Sequence, residues 1–131
     1  MAKLALRLAE ADALDAALAT PPPCVCGVAA GTITSAAARA RLAGGGIVVW
    51  LTADPQVLAQ RAVGAAHRPW LEKDAEGWLR AVAVERDPLY REIADVTIDT
   101  SERSPDEIAD DLADQLAQRA ACRPWLAEHL D

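Results

Sequence analysis

Apolar side chains recur every three to four residues in several stretches of the chain, which is the spacing of amphipathic helices. The first such stretch, residues 4–18, mixes leucine and alanine with charged residues and stops at Thr20-Pro21-Pro22-Pro23. Ser35 and Ser104-Pro105 are typical helix starts, since a serine hydroxyl can accept a hydrogen bond from a first-turn amide. The sequence therefore predicts helices over residues 4–18, 36–42, 55–63, 72–92 and 105–120, the fourth of them interrupted near Asp87-Pro88.

Three short apolar runs lie between the helical stretches, and we predict them as strands over residues 24–28, 47–51 and 96–98. The second run has five consecutive apolar residues, three of them β-branched, which is typical of a strand buried on both faces. Strands that alternate with helices predict an α/β fold with a parallel sheet, here of about three strands. We place one domain at residues 1–121, with a loop at 64–70 and a C-terminal tail at 122–131.

The composition fits one globular domain with a modest core. The chain has 131 residues, 52% hydrophobic and 25% charged, and it lacks phenylalanine. A net charge of −7 argues against a nucleic-acid partner, because phosphate backbones require clustered lysine and arginine. No apolar stretch is long enough for a bilayer, and the first residues lack a signal-peptide pattern, so we expect no membrane partner and a cytoplasmic protein.

The three cysteines, Cys24, Cys26 and Cys122, have no framework spacing, which indicates free thiols in a reducing compartment. Cys24 and Cys26 fall in the first predicted strand, so we expect them to be small buried hydrophobic residues. A metal site would need further ligands, and the two histidines, His67 and His129, are distant in sequence. We predict no metal ligands.

Arginines recur beside proline and aromatic residues, in Arg68-Pro69-Trp70, Pro88-Leu89-Tyr90-Arg91 and Arg103-Ser104-Pro105. Guanidinium groups bind phosphates and carboxylates because their paired N–H donors match two oxygens. The pattern therefore indicates a phosphotransferase with an anionic acceptor. However, the sequence contains no G-x-x-x-x-G-K-[ST] loop, the backbone cradle for nucleotide phosphates.

The order and spacing of these motifs resemble the shikimate kinase family, small P-loop kinases of aromatic amino-acid biosynthesis. The resemblance implies a P-loop-kinase-like sheet, ATP and Mg²⁺ as cofactors, and transfer of the ATP γ-phosphate to the 3-hydroxyl of shikimate. It extends from Leu6 to about Leu116. The matching segments are Arg7-x-x-Glu10, residues 25–28, Thr34-Ser35, Arg39, residues 48–51, Arg68-Pro69, Pro88-Leu89-Tyr90-Arg91, Asp99-Thr100 and Ser104-Pro105.

The resemblance also implies how the acceptor is held. Arg7 and Arg91 match two arginines that grip the shikimate carboxylate, and Glu10 matches the acid that supports the first of them. Ala30 and Gly31 match positions where the backbone approaches the acceptor closely.

The nucleotide side is implied in the same way. Arg68 matches the lid arginine that reaches the transferring phosphoryl group, where a cation stabilises developing negative charge. Arg61, Arg103 and Pro105 match positions that flank the adenine.

The chain departs from the family in several places. The family's glycine triplet stands here as Ala29-Ala30-Gly31, and an alanine at positive φ would be strained by about 1 kcal/mol or more. The family's first strand, phosphate loop, first helix and second strand have no counterpart, and neither has the acidic residue after that second strand.

These departures affect the sheet as well as the chemistry. The resemblance implies the strand order 2-3-1-4-5, so residues 24–28 and 47–51 would flank an empty central position. Unpaired strand edges invite pairing. Either the two runs pair directly, or another chain, including a second copy, fills the gap, or a lone monomer is unstable.

Simpler interpretations remain open for several of these residues. Arg7 lies three residues before Glu10, so the two could form only a helix-surface ion pair. Arg91 could be a solvated surface charge, as could Arg68. Trp50 is interpreted as a core residue and not as a platform for a ligand.

Three functional hypotheses follow. The first is a shikimate kinase homologue that is catalytically impaired as this chain alone, because it lacks the phosphate loop. The second is a non-catalytic module that binds a carboxylate ligand or a protein. The third is a piece of a longer enzyme, in which residues before Met1 supply the missing loop.

Overall fold

The structure is a computed structural model that describes residues 2–63 and 74–120. Its helices and strands confirm the predicted α/β class with a parallel sheet, and all five predicted helices are present. The predicted loop at 64–70 and the predicted tail at 122–131 lie outside the described residues. In chain order the elements are α1 (Ala2–Leu18), a 3₁₀ helix (Ala30–Thr34), α2 (Ala36–Gly45), β1 (Val49–Thr52), α3 (Pro55–Arg61), α4 (Ala75–Ile93), β2 (Val96–Asp99) and α5 (Pro105–Ala120).

Two of the predicted helix starts have the expected capping bonds. The Ser35 hydroxyl accepts a hydrogen bond from the Ala38 N–H at 3.2 Å. The Ser104 hydroxyl accepts from the Glu107 N–H at 3.2 Å, which caps the first turn of α5, and donates to the Glu107 carboxylate at 3.1 Å. Asp54 precedes α3 but makes no side-chain capping bond. Helix α3 therefore begins on the fixed φ of Pro55 alone.

Strands β1 and β2 pair in parallel, with Val49 opposite Val96 and Leu51 opposite Ile98. Val96 and Ile98 are each 2% exposed, and the residues that follow each of them are exposed. This alternation places one face of β2 on the core, as a period of two requires. The connection through α3 and α4 brings the carboxyl ends of both strands to the same edge of the sheet.

The prediction that residues 47–51 form a strand buried on both faces is wrong in its burial. Leu51 is 56% exposed, and the other residues of β1 are half-buried. Within the described residues β1 pairs only with β2, so its second edge has no neighbouring strand. Side chains point to the two faces of a sheet, so the exposure of Leu51 shows that the described residues leave its face of β1 largely uncovered.

The predicted strand at residues 24–28 is also wrong, because this segment has no regular secondary structure. Val25 is fully exposed, and Cys24 and Cys26 are exposed free thiols and not buried hydrophobic residues. An apolar run forms a strand only where a neighbour satisfies its backbone N–H and C=O groups. Direct pairing of this segment with β1 is therefore not the arrangement that the structure adopts.

Helix α4 continues through Pro88, where the sequence predicted an interruption. Proline removes one helical hydrogen bond and crowds the carbonyl of Val84, one turn earlier. Val84 is 80% exposed, and Pro88 is exposed as well. Water can therefore satisfy the freed carbonyl, and the helix continues.

The hydrophobic core of the described residues is small and draws on four of their eight helices and strands. Leu14 of α1, Ile33 of the 3₁₀ helix, Ala38 of α2, and Val96 and Ile98 of β2 are its buried apolar side chains. Over residues 2–63 and 74–120, no helix combines the length and the apolar character needed to cross a membrane.

Candidate functional site

The 3₁₀ helix after the exposed segment 24–28 is fixed by hydrogen bonds to five consecutive carbonyl oxygens. Four of the bonds come from nearby in sequence, and one comes from α4. The donors are the Thr32 N–H to Ala29 (3.0 Å), the Tyr90 hydroxyl to Ala30 (3.1 Å), the Thr34 hydroxyl to Gly31 (2.8 Å), the Ser35 N–H to Thr32 (3.2 Å) and the Arg39 guanidinium to Ile33 (2.8 Å). With its carbonyls satisfied, this turn is a well-defined platform.

The guanidinium of Arg7 lies directly against Gly31. A Cβ atom added to Gly31 would coincide with the end of the Arg7 side chain, so only glycine leaves room for it. Arg7 also donates to the carboxylate of Glu10 at 2.6 Å. The structure therefore brings together Arg7 and Gly31, two of the predicted acceptor residues, and the expected Arg7–Glu10 pair is formed as well.

Tyr90 connects this turn to α4 and to the sheet. Besides its hydrogen bond to the Ala30 carbonyl, its ring stacks on Trp50 of β1, with the ring centres 5.4 Å apart and the planes 17° from parallel. Burial raises the pKa of Tyr90, while a charge interaction and a hydrogen bond with Arg86 act in the opposite direction. Tyr90 is therefore a neutral donor at physiological pH.

Arg86 is a cation of this site that the sequence interpretation missed. It lies one helical turn before Tyr90, close enough to affect its hydroxyl. Its Nε atom is buried and has no hydrogen-bond partner among the residues that the structure describes. The signal that could have found it is its spacing from Tyr90. Residues four positions apart lie on the same face of a helix, and Arg86 precedes Tyr90 by four.

Arg91, which the resemblance implies as a carboxylate ligand, lies beside Trp50. Its guanidinium lies 5.8 Å from the centre of the Trp50 ring, in cation–π contact. It also lines an open groove of about 480 Å³ that includes Pro55 and, on α4, Arg80 and Asp87. Trp50, which was interpreted as a core residue, is only half-buried, and its ring packs against Tyr90.

The predicted adenine-flanking residues lie around the loop after β2. Arg61, the last residue of α3, donates to the Thr100 hydroxyl at 3.1 Å and to the Thr100 carbonyl at 2.6 Å. These two bonds fix the plane of its guanidinium, and a fixed guanidinium plane can stack on an aromatic ring.

Arg103 points toward α5 and donates to Asp111 at 2.8 Å. Hydrogen bonds from Arg103 and Gln115 lower the pKa of Asp111. Pro105 is the first residue of α5. Arg68, the predicted catalytic lid residue, lies outside the described residues.

The expected strain at the replaced glycine triplet does not occur. No residue other than glycine has a positive φ in the described ranges, and Ala29 has φ −59° and ψ 132°. The backbone here is one that alanine adopts without cost.

The fold and this site define an α/β protein with part of a P-loop-kinase-like sheet: two parallel strands, flanking helices, and arginines beside a tightly bonded turn. The family model for shikimate kinase matches residues 3–117. The chain belongs to the shikimate kinase family, and the resemblance found in the sequence is confirmed.

Similar proteins agree with this assignment. The chain is 36% identical over 94 residues to a shikimate kinase of Thiobacillus denitrificans, covering 71% of this chain and 51% of that protein. It is 41% identical over 92 residues to a shikimate kinase of Rhodopirellula baltica, covering 66% and 49%. The chain thus spans about half the length of these relatives. No solved structure matches it significantly.

The family implies ATP and Mg²⁺, and the described residues fit these two groups unequally. The fixed guanidinium of Arg61 is suited to one face of an adenine. In the described ranges, however, no group of three or more histidine, cysteine, aspartate or glutamate side chains could hold a metal ion. Asp99 and Asp111 accept hydrogen bonds from Ser101 and Arg103. The described ranges therefore offer no cluster of carboxylates for magnesium.

Proposed function

We propose that this chain is the acceptor-binding part of a shikimate kinase and that it binds the carboxylate of shikimate beside the turn at Ala30–Gly31. The observation that carries the proposal is the contact of the Arg7 guanidinium with Gly31. A cation held against a backbone whose carbonyls are already bonded can present its remaining N–H donors to an anion. Glu10 accepts one hydrogen bond from the Arg7 guanidinium and so orients it, which leaves other N–H donors of Arg7 for a ligand.

We propose Arg86 as the second cation of this site. A buried guanidinium N–H without a partner costs about 1–3 kcal/mol, and a ligand carboxylate would remove that cost. The interaction with the Tyr90 hydroxyl does not neutralise the charge of Arg86, whereas a carboxylate does. The role first predicted for Arg91 stays a prediction, since its guanidinium is in contact with Trp50.

We further propose that this chain by itself has negligible kinase activity. Transfer of a γ-phosphate depends almost entirely on positioning and on stabilisation of the phosphate charges. The sequence lacks the G-x-x-x-x-G-K-[ST] loop, and the described carboxylates do not gather into a metal site. The relatives are about twice as long as the part of them that this chain matches, so catalysis would require further residues.

Calorimetric titration with shikimate, without nucleotide, tests the binding proposal. We expect Arg7→Ala and Arg86→Ala each to raise the dissociation constant at least about tenfold, the cost of losing a hydrogen bond to a charged group. Arg41→Ala is the control, because Arg41 forms an ion pair with Asp15 of α1 and has no bond to the turn at Ala30–Gly31 among the described residues. Absence of binding by the wild type at millimolar shikimate would contradict the proposal. A loss in Arg91→Ala with none in Arg86→Ala would move the carboxylate to the groove beside Arg91.

A coupled assay for ADP release tests the lack of kinase activity. We expect no release that depends on both ATP and shikimate from this chain alone. Turnover at about 1 s⁻¹ or faster, the ordinary range for kinases, would refute it.

We also propose that the chain self-associates through the second edge of β1. In the described residues this edge has no partner strand, and the nearby Leu51 is 56% exposed. An unpaired strand edge and an exposed apolar side chain both favour association. Light scattering that gives a monomer mass at micromolar concentration, with a cooperative thermal transition, would exclude it.

A further inference from the structure

Among the residues that the structure describes, Tyr90 makes the one hydrogen bond by which α4 holds the backbone of the 3₁₀ helix. The other four carbonyls of the turn are bonded by residues no more than six positions away, whereas Tyr90 is 60 positions from Ala30. Removal of its hydroxyl would therefore leave the turn folded on itself but no longer bonded to α4.

The same hydroxyl also interacts with Arg86. A phenol can accept one hydrogen bond while it donates another. Tyr90 can thus accept from Arg86 and donate to Ala30, which joins the proposed second cation to the turn that holds the first. Its ring is held independently by the stack on Trp50, 5.4 Å away.

We propose that Tyr90 is a positioning residue that sets the relative placement of the turn at Gly31 and of Arg86, so that Arg7 and Arg86 meet a single ligand carboxylate. This inference rests on the proposed function, because it concerns the geometry of the same acceptor site. Tyr90 itself does not touch the ligand. Two cations bind one carboxylate tightly only if the distance between them is fixed before binding. Otherwise part of the binding free energy is lost in ordering the two side chains.

The test uses Tyr90→Phe, which keeps the ring and its stack on Trp50 and removes only the hydroxyl. We expect the dissociation constant for shikimate to rise about three- to tenfold, as for the loss of one hydrogen bond. The control is Thr20→Val, which removes a hydroxyl that also donates to a backbone carbonyl at 3.1 Å, from Thr20 to Ala16 at the end of α1. Circular dichroism and the melting temperature report whether each variant is folded.

Two further measurements separate positioning from a general loss of structure. The methyl ester of shikimate has no anionic carboxylate, so its weaker binding should change less than twofold in Tyr90→Phe. In addition, Tyr90→Phe combined with Arg86→Met should bind shikimate no more weakly than Arg86→Met alone, because Tyr90 acts through Arg86.

Each outcome supports or overturns the inference. Wild-type affinity in Tyr90→Phe overturns it, as does an equal loss for shikimate and its ester, or an additive loss in the double variant. If the wild type binds shikimate and Tyr90→Phe binds it equally well, only this inference fails. If the wild type itself does not bind shikimate, the proposed function fails and this inference fails with it.

Discussion

Substitution of Gly31 by alanine should separate ligand binding from stability. The added Cβ would collide with the Arg7 guanidinium and with no backbone atom among its three nearest neighbours. Arg7 is long and flexible, and its side chain is about one-third exposed, so it can swing away. Gly31→Ala is therefore expected to displace Arg7 while the turn keeps its shape.

The cost to stability can be estimated from what Arg7 gives up. Its pair with Glu10 is partly exposed, and such a pair contributes about 0.3–1 kcal/mol. Alanine also restricts the unfolded chain, which returns a similar amount, about 0.4–1 kcal/mol. The net change in the free energy of unfolding should stay within about 1 kcal/mol, which corresponds to a shift of roughly 5 °C or less in the melting temperature.

The cost to binding should be larger. Loss of a hydrogen bond between a guanidinium and a carboxylate is worth about 1.5–3 kcal/mol, or roughly 10- to 150-fold in the dissociation constant. Calorimetry with shikimate measures this loss, and thermal unfolding measures stability. The double variant Arg7→Ala/Gly31→Ala should bind no more weakly than Arg7→Ala, because both changes remove the same contact.

Gly44→Ala is the matched control. Gly44 lies in α2, and a Cβ there meets nothing within 4 Å. It should leave binding unchanged and can raise stability by up to about 1 kcal/mol, since alanine is the better helix former. The reasoning is refuted if Gly31→Ala binds shikimate as tightly as the wild type while Arg7→Ala does not. A loss of about 3 kcal/mol or more in stability would refute it too, because backbone strain would then be the cause.

Three further expectations concern single groups. Burial raises the pKa of Tyr90 above its ordinary 10.0, so the folded state favours the neutral phenol. The stability gained in this way is present below pH 10 and is lost as the pH rises through the pKa that Tyr90 has in the folded protein. Absorbance of tyrosinate measures the pKa of Tyr90 directly, since Tyr90 is the only tyrosine. A titration midpoint at or below pH 10 in the folded protein would contradict the expected rise. Arg103→Met should return the lowered pKa of Asp111 toward 3.8, as followed by NMR titration of the carboxyl carbon; an unchanged value would show that Gln115 alone holds it down. Ser104→Ala should cost about 1 kcal/mol of unfolding free energy in denaturant titrations, whereas Ser104→Gly should cost only a few tenths; an unchanged stability in Ser104→Ala would mean that the hydroxyl does not cap α5.

Local signals predicted most of the helices well, because their causes are local. The Ser35 and Ser104 hydroxyls cap helices through bonds to amides three residues away, which a sequence displays directly. Strand β2 was also predictable, since its alternation reflects a single covered face. Helix caps and the alternation of a strand with one covered face depend little on residues that are distant in sequence, so a sequence can predict them.

The errors arose where a distant or missing partner decides the outcome. Residues 24–28 have the composition of a strand, but pairing requires a neighbour that β1 does not supply in the described residues. Pro88 continues its helix because water reaches the carbonyl of Val84, and exposure is not visible in sequence. Arg86 was overlooked because its significance depends on Tyr90 reaching a turn 60 residues away.

The stack of the single tyrosine on Trp50 gives this chain a built-in optical reporter. Excitation energy passes from a phenol to an adjacent indole, so ultraviolet emission from Tyr90 should be quenched while the two rings lie 5.4 Å apart. Emission from Tyr90 should then increase when α4 moves well away from β1. Detachment of that helix could thus be followed in real time, without a label, even while the rest of the chain remains folded.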